Sequence, residues 1–158
     1  FDGNGLATGN NRLCFSPDGK TLWIGHSAHG WAGNQGIQTL TWNGRTPADV
    51  LRMNLSKKGF DLTFTVPMDK AIVSSPKSYA IKSYAYKFHQ GYGSPQIGVK
   101  NLKATQVTLS EDRKTVRLLL PEMQERQLYE ISLEALKTSK GEPLANNLIV
   151  YHAHNLLR

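Results

Sequence analysis

The 158-residue sequence lacks most of the features that mark an enzyme, a metal protein or a membrane protein. Its one cysteine, Cys14, cannot form an intrachain disulfide or complete a Cys-based metal or Cys-x-x-Cys-His haem motif. No run of about 18 apolar residues is available to span a membrane. The nucleophile and nucleotide-binding motifs Gly-x-Ser-x-Gly, Gly-x-Gly-x-x-Gly and Gly-x-x-x-x-Gly-Lys-Ser/Thr are also missing. We therefore expect no cofactor and no catalytic activity from the chain on its own.

The positive charge is unevenly distributed and contains no strongly basic run. Residues 1–56 hold four Lys or Arg against three acidic residues, whereas residues 57–158 hold fifteen against nine, and together they give the net charge of +7. A basic domain can bind nucleic acid or polyanions. No four basic residues are consecutive, however, so we predict a solvated basic surface and no nucleic-acid partner; an anionic polysaccharide or an acidic protein remains an alternative partner.

Short segments with period-two alternation dominate the chain from residue 58 to residue 151, which predicts a β-sandwich. In the first of them, Phe60, Leu62, Phe64 and Val66 share one face that we expect to be core. Turn-forming residues separate the segments. The predicted strands are 60–66, 79–88, 104–109, 115–120, 128–133 and 148–152.

Four motifs in this region carry a resemblance. They are Phe-Thr-x-Pro-Met-Asp (64–69), Ser-x-Asp-x-x-x-Val-x-Leu (110–118), Tyr-Glu-Ile (129–131) and Gly-x-x-Leu (141–144). Together they resemble the bacterial Ig-like domains of cell-surface and secreted proteins. Tyr-Gly-Ser-Pro (92–95) and Tyr-x-x-His (151–154) resemble a narrower set, the Ig-like domain that follows a sugar-dehydrogenase-type β-propeller in large secreted haem-binding proteins of aquatic bacteria.

The region before residue 57 predicts three further strands, 12–15, 21–26 and 37–42, with a Ser-Pro-Asp-Gly-Lys hairpin turn after the first. Its Phe-Ser-Pro-Asp-Gly-Lys-x-Leu-Trp-Ile-Gly motif (15–25) is similar to a propeller-blade hairpin. The stretch 36–47 resembles the final blade of quinone-type sugar dehydrogenases. We predict an all-β fold, with a blade-like extension over residues 1–56 and an Ig-like β-sandwich over residues 57–158. We expect Cys14, Trp23 and Trp42 to be core residues.

Aromatic side chains are the best candidates for ligand binding. Trp31 and Tyr92 lie in glycine-rich loops, where packing requires an aromatic ring least. Tyr84, Tyr86 and Phe88 alternate along one predicted strand and so share a face. This row either stacks on sugar rings or belongs to the core, and Trp31 either binds a ligand or packs between domains.

His152 and His154 are weak candidates for metal ligands. Two apart on a strand, they face the same side and could bind zinc, copper or a haem iron. The sequence shows no third ligand beside them, so the alternative is that both are surface residues, and we predict no metal site.

Three functions fit these observations. The first is a non-catalytic accessory module of a secreted carbohydrate-active oxidoreductase, bracing the parent and positioning partners. The resemblance implies that the parent is a quinone-dependent sugar dehydrogenase in the bacterial periplasm or outside the cell. The second is a carbohydrate-binding module, and the third is a basic docking surface for a cytochrome.

Overall fold

The computed structural model describes residues 4–28 and 33–157, and it confirms the all-β class. Its strands form three antiparallel sheets. The described residues contain two short helical segments, α1 (Lys70–Val73) and a 3₁₀ turn (Pro76–Ser78). None of the described helices is long and apolar enough to cross a membrane. The chain divides into two compact units between Arg45 and Thr46, termed here the N-terminal unit and the C-terminal unit.

The N-terminal unit is a single three-stranded sheet in which β2 is central. Its strands are β1 (Asn10–Phe15), β2 (Thr21–His26) and β3 (Gly36–Thr41). The β1–β2 hairpin closes through a turn in which the backbone N of Ser16 donates to the carbonyl oxygen of Thr21 at 2.8 Å. These strands form where the sequence predicts them.

Burial in the N-terminal unit is far lower than the sequence indicates. Among its described residues, two side chains are buried, the apolar Ile24 and the polar His26. Neither ring nitrogen of His26 has a hydrogen-bond partner. The prediction that Cys14, Trp23 and Trp42 are core residues is wrong, because all three are exposed. A sheet of one layer has no second sheet to cover its faces, so strand periodicity alone does not bury its apolar residues.

The C-terminal unit is a sandwich of two four-stranded sheets, ordered β4-β5-β9-β8 and β11-β10-β6-β7. Labelled A to G in chain order, with β7 as C′, these sheets read A-B-E-D and G-F-C-C′, which is the strand arrangement of Ig-like sandwiches. The strands are β4 (Val50–Ser56), β5 (Gly59–Phe64), β6 (Ala80–Tyr86), β7 (Gln96–Leu102), β8 (Gln106–Leu109), β9 (Thr115–Leu119), β10 (Gln127–Ser132) and β11 (Leu148–Ala153).

One hydrophobic core fills the space between these sheets. The predicted inward face of β5 is confirmed, since Phe60, Leu62 and Phe64 are fully buried, while Val66 beyond the strand is only half-buried. Other fully buried members come from β9, β10 and the segments that follow them: Val116, Leu118, Leu120, Tyr129, Ile131, Leu133 and Leu136.

Tyr129 fixes the corner between β9 and β10. Its hydroxyl accepts a hydrogen bond from the backbone N of Gln124 at 2.6 Å and donates to the carbonyl oxygen of Gln124 at 2.9 Å. Its ring meets Phe60 edge-on, with 5.5 Å between centroids. A tyrosine near the start of strand F that bonds to backbone just upstream is the tyrosine corner of Ig-like domains.

The units divide earlier in the chain than the boundary predicted at residue 56. The strand β4 pairs along its length with β5, with Met53 opposite Leu62 and Leu55 opposite Phe60. Met53 and Leu55 pack against the sandwich core. Residues 46–56 therefore supply the first strand of the sandwich and not the end of the three-stranded sheet.

Candidate functional site

The candidate site lies on the outward face of the sheet β11-β10-β6-β7. On β6, Ile81 belongs to the core and Ser83 is buried beside it. Side chains alternate across a strand, so Lys82 and Tyr84 point away from the core. The register places Glu130 of β10 opposite Lys82 and Leu128 opposite Tyr84. We call the outward residues Lys82, Tyr84, Tyr86, Leu128 and Glu130 the tyrosine face.

A compact polar and aromatic cluster occupies the centre of the tyrosine face. Lys82 Nζ lies 2.8 Å from Glu130 Oε1 and 5.5 Å from the ring centroid of Tyr84. The Tyr84 hydroxyl donates to Glu130 Oε2 at 3.4 Å. The Tyr84 and Tyr86 rings meet at 79° with 5.5 Å between centroids. Because each group contacts the next, the cluster holds Tyr84 in a defined orientation.

The two tyrosines differ in what they can offer a ligand. Tyr84 is only 3% exposed, whereas Tyr86 is 49% exposed. Burial raises the pKa of Tyr84 to about 12, with further contributions from Tyr86 and from the charge of Glu130. Tyr84 therefore remains a neutral hydrogen-bonding phenol at physiological pH. Tyr86 is the member whose ring can contact another molecule.

The remaining sequence candidates lie apart from this cluster in the chain. Phe88 falls beyond the end of β6 and is fully exposed, so it does not continue the predicted row. Tyr92 is also fully exposed, in a loop closed by the hydrogen bond from the backbone N of Lys87 to the carbonyl oxygen of Pro95. Trp31 lies outside the described residues, so its predicted role stays a prediction.

His152 and His154 lie at the end of β11, on the outward side. His152 is opposite Leu128 in the register, and both histidines are exposed. Their ring centroids are 6.0 Å apart. Among the residues that the structure describes, no three His, Cys, Asp or Glu side chains come together as a metal-binding group.

Sequence reasoning missed three members of the tyrosine face, Leu128 and the two charged residues Lys82 and Glu130. Lys82 lies two residues before Tyr84, and Glu130 lies between Tyr129 and Ile131 in the Tyr-Glu-Ile motif. The side of the strand on which each charged residue lies could therefore be predicted from the sequence. Their pairing could not, because it depends on the register between β6 and β10.

The opposite outward face of the sandwich, formed by β4-β5-β9-β8, is polar. Arg117 of β9 forms a two-pronged ion pair with Asp61 of β5, both nitrogen–oxygen distances being 2.7 Å. No aromatic side chain is among the residues that line the shallow depression beside this pair. The tyrosine face is thus the aromatic side of the sandwich.

Comparison with known proteins gives information on the fold alone. No protein-family model and no curated protein matches the chain. The crystal structure of the S-layer protein rSbsC matches with a TM-score of 0.50 and 21% identity, covering 68% of this chain and 14% of that one. Domains 1–6 of SbsC match at 0.48 with 22% identity, covering 68% and 14% of the two chains. The N-terminal part of this bacterial protein matches at 0.47 with 22% identity, covering 68% and 24%. The matched part of this chain spans about a seventh to a quarter of those chains. At 21% identity the similarity to rSbsC shows a shared fold alone.

Proposed function

We propose that this chain is a non-catalytic accessory module of a larger secreted protein. In this proposal the C-terminal unit is a self-contained Ig-like domain, and the N-terminal unit packs against another part of the parent protein. The sequence resemblance makes a sugar-dehydrogenase-type propeller the expected parent. The fold similarity to an S-layer protein, of which a unit of this size is a small part, is in keeping with a module outside the cell.

Exposed apolar residues on one face of the N-terminal unit carry this proposal. The register aligns Phe15, Leu22 and Leu40 in a row across the sheet. Leu13 lies on the same face and is paired with Ile24. Leu13 is 65% exposed and Phe15 is 66% exposed. Leu22 and Leu40 are half-buried and Ile24 is buried, so the exposed part of this face is Leu13 and Phe15. Adjoining exposed apolar residues are one mark of a protein–protein surface. The C-terminal unit buries its inward apolar residues between its two sheets, although Ile97, Val99, Leu148 and Val150 on its outer strands are exposed.

Hydrogen–deuterium exchange on this chain and on the protein purified from its natural source tests the proposal. We expect β1 and β3 to exchange more slowly in the natural protein, because the parent covers the sheet, and the β5 and β10 amides to be protected equally in both. A natural polypeptide no longer than this chain, or equal exchange of β1 and β3 in both samples, would contradict the proposal.

A second candidate function is carbohydrate binding, which the half-exposed ring of Tyr86 favours, since it contacts Tyr84 and Tyr84 contacts the Lys82–Glu130 pair. Sugar sites commonly combine an aromatic platform with polar groups that bind hydroxyls. Glycan-array binding by the purified chain tests this function. We expect Tyr86→Ala and Tyr92→Ala to weaken binding without lowering the melting temperature, whereas Phe15→Ala leaves binding unchanged. The cytochrome-docking surface stays a prediction from the charge alone.

A further inference from the structure

The end of β11 brings two imidazole side chains together on one face. Ile149, Tyr151 and Ala153 of this strand belong to the core or pack against it, so the intervening side chains point outward. His152 is one of these, and His154 follows at the same parity directly after the strand. Their rings lie at 77° to each other with 6.0 Å between centroids. Within the described part of the chain, no hydrogen bond occupies either ring.

Two adjacent imidazoles are a bidentate ligand for a borderline divalent cation. A metal–nitrogen bond of about 2.0 Å places two imidazoles bound side by side with centroids roughly 4.5–5 Å apart. The observed separation exceeds this by about 1 Å, which rotation of exposed side chains about their χ angles can close. Affinity for nitrogen ligands rises along the first-row divalent metals to a maximum at Cu²⁺.

We propose that His152 and His154 form an open two-imidazole site for Cu²⁺, and more weakly for Ni²⁺ and Zn²⁺. The structure describes no third protein ligand, so water or an external donor completes the coordination. The site lies next to the tyrosine face, since His152 and Tyr84 flank Leu128 in the register. This proposal does not depend on the accessory role.

Calorimetric titration of the untagged chain with Cu²⁺, together with electron paramagnetic resonance, tests the site. We expect one Cu²⁺ per chain and a spectrum with two coordinated nitrogens. His152→Asn and His154→Asn should each lower the affinity at least about tenfold, because the second imidazole binds intramolecularly at a high effective concentration.

His89→Asn is the matched control. His89 is also exposed, but it lies in the loop after β6, where its Nδ1 accepts a hydrogen bond from the backbone N of Gly91 at 3.1 Å, and no other histidine is near it in the sequence. We expect this variant to bind Cu²⁺ as the unchanged chain does. The site is refuted by an absence of saturable binding, by a one-nitrogen spectrum, by four nitrogens shared between two chains, or by an equal loss in His89→Asn. Melting temperatures measured without metal should be equal in all variants, which separates loss of ligands from loss of folding.

Discussion

The two units contain nearly the same hairpin turn but bury very different amounts of apolar surface. In both turns a serine hydroxyl donates to an aspartate two residues later, and the backbone N of the lysine that follows donates to the same aspartate oxygen. The two turns span Ser16–Thr21 and Ser110–Thr115. In each, the backbone N of the serine donates to the carbonyl oxygen of the threonine, at 2.8 Å and 2.9 Å respectively. Similar local sequences thus give the same local geometry in both units.

The two units differ in how many apolar residues they bury, because the face of a sheet is buried only where a second layer packs against it. The strand β9 after the second turn belongs to one sheet of the sandwich and faces the other, and Val116 and Leu118 are fully buried. The strand β1 before the first turn belongs to a single sheet, and all six of its residues are exposed. Turn chemistry is therefore a local property, whereas a core is a property of facing sheets.

The largest expected effect comes from the two phenylalanines that end strands in the two units. Phe64→Ala removes a fully buried ring from the sandwich and should lower the free energy of unfolding by about 3–5 kcal/mol. Phe15→Ala removes a ring that is mostly exposed and should change it by less than about 0.5 kcal/mol.

Denaturant unfolding distinguishes the units, because every tryptophan lies before residue 46 and every tyrosine lies after it. Tryptophan fluorescence follows the N-terminal unit and tyrosine absorbance follows the C-terminal unit. Equal midpoint shifts for the two variants would show that Phe15 is buried as deeply as Phe64. The strand register can be checked with Thr63→Ala, an outward residue of β5, which should cost about 1 kcal/mol or less.

The tyrosine corner should have the next largest effect. Tyr129→Phe keeps the ring that contacts Phe60 but removes both hydrogen bonds to Gln124, and it should cost about 1–3 kcal/mol. Tyr151→Phe is the matched control, since its ring also contacts Phe60, at 5.2 Å. Tyrosine-monitored unfolding should show a clear shift for the first variant and little for the second. Equal shifts would mean that the rings, and not the corner hydroxyl, carry the stabilisation.

A reciprocal exchange at the two turns should give a smaller effect of opposite sign. Gly19 and Arg113 occupy the same turn position with φ of 70° and 57°, a left-handed conformation that costs side-chain-bearing residues about 1–2 kcal/mol. Arg113→Gly should stabilise the C-terminal unit by about 0.5–1 kcal/mol after the added flexibility of the unfolded chain is included. Gly19→Arg should destabilise the N-terminal unit by about 1 kcal/mol. Two shifts of the same sign would show that the turns are not equivalent.

The smallest expected effect is on the free energy of unfolding, and it occurs only at acid pH. Hydrogen bonds from Ser16 and from Ser110 hold the pKa of Asp18 and of Asp112, respectively, below the usual value. A depressed folded-state pKa gives stability that is present above the unfolded pKa, about 3.9, and that is lost as the pH falls through the folded value. Asp18→Asn and Asp112→Asn should flatten that acid loss in their own units only. An unchanged acid limb in the matching unit would contradict the role of the turn carboxylate.

Two strands, β4 and β7, were not predicted from the sequence. Both contain a register shift. In β4 it lies between Val50 and Arg52. In β7 it lies around Gly98, which has φ 63° and falls between the residues paired with Ser83 and Ala85. In β7 the shift falls inside the strand and breaks the period-two alternation. In β4 it lies at the start, so the alternation of Met53 and Leu55 with polar residues was readable in the sequence. Tyr84 and Tyr86 share a face, as their alternation predicted, and their rings are 5.5 Å apart. Phe88 was not placed correctly, because the strand ends before it.

Tyr129 also has a consequence for where this sandwich can fold. In antibody domains the residue two positions after the corner tyrosine is a cysteine joined to strand B. Here that position is Ile131, fully buried in the core, and the one cysteine of the chain is exposed in the N-terminal unit. The inter-sheet link is therefore a packing contact that no reductant can open. The C-terminal unit should reach the same native state in a reducing cytosol and in an oxidising exterior, so its folding does not depend on which side of a membrane it reaches first.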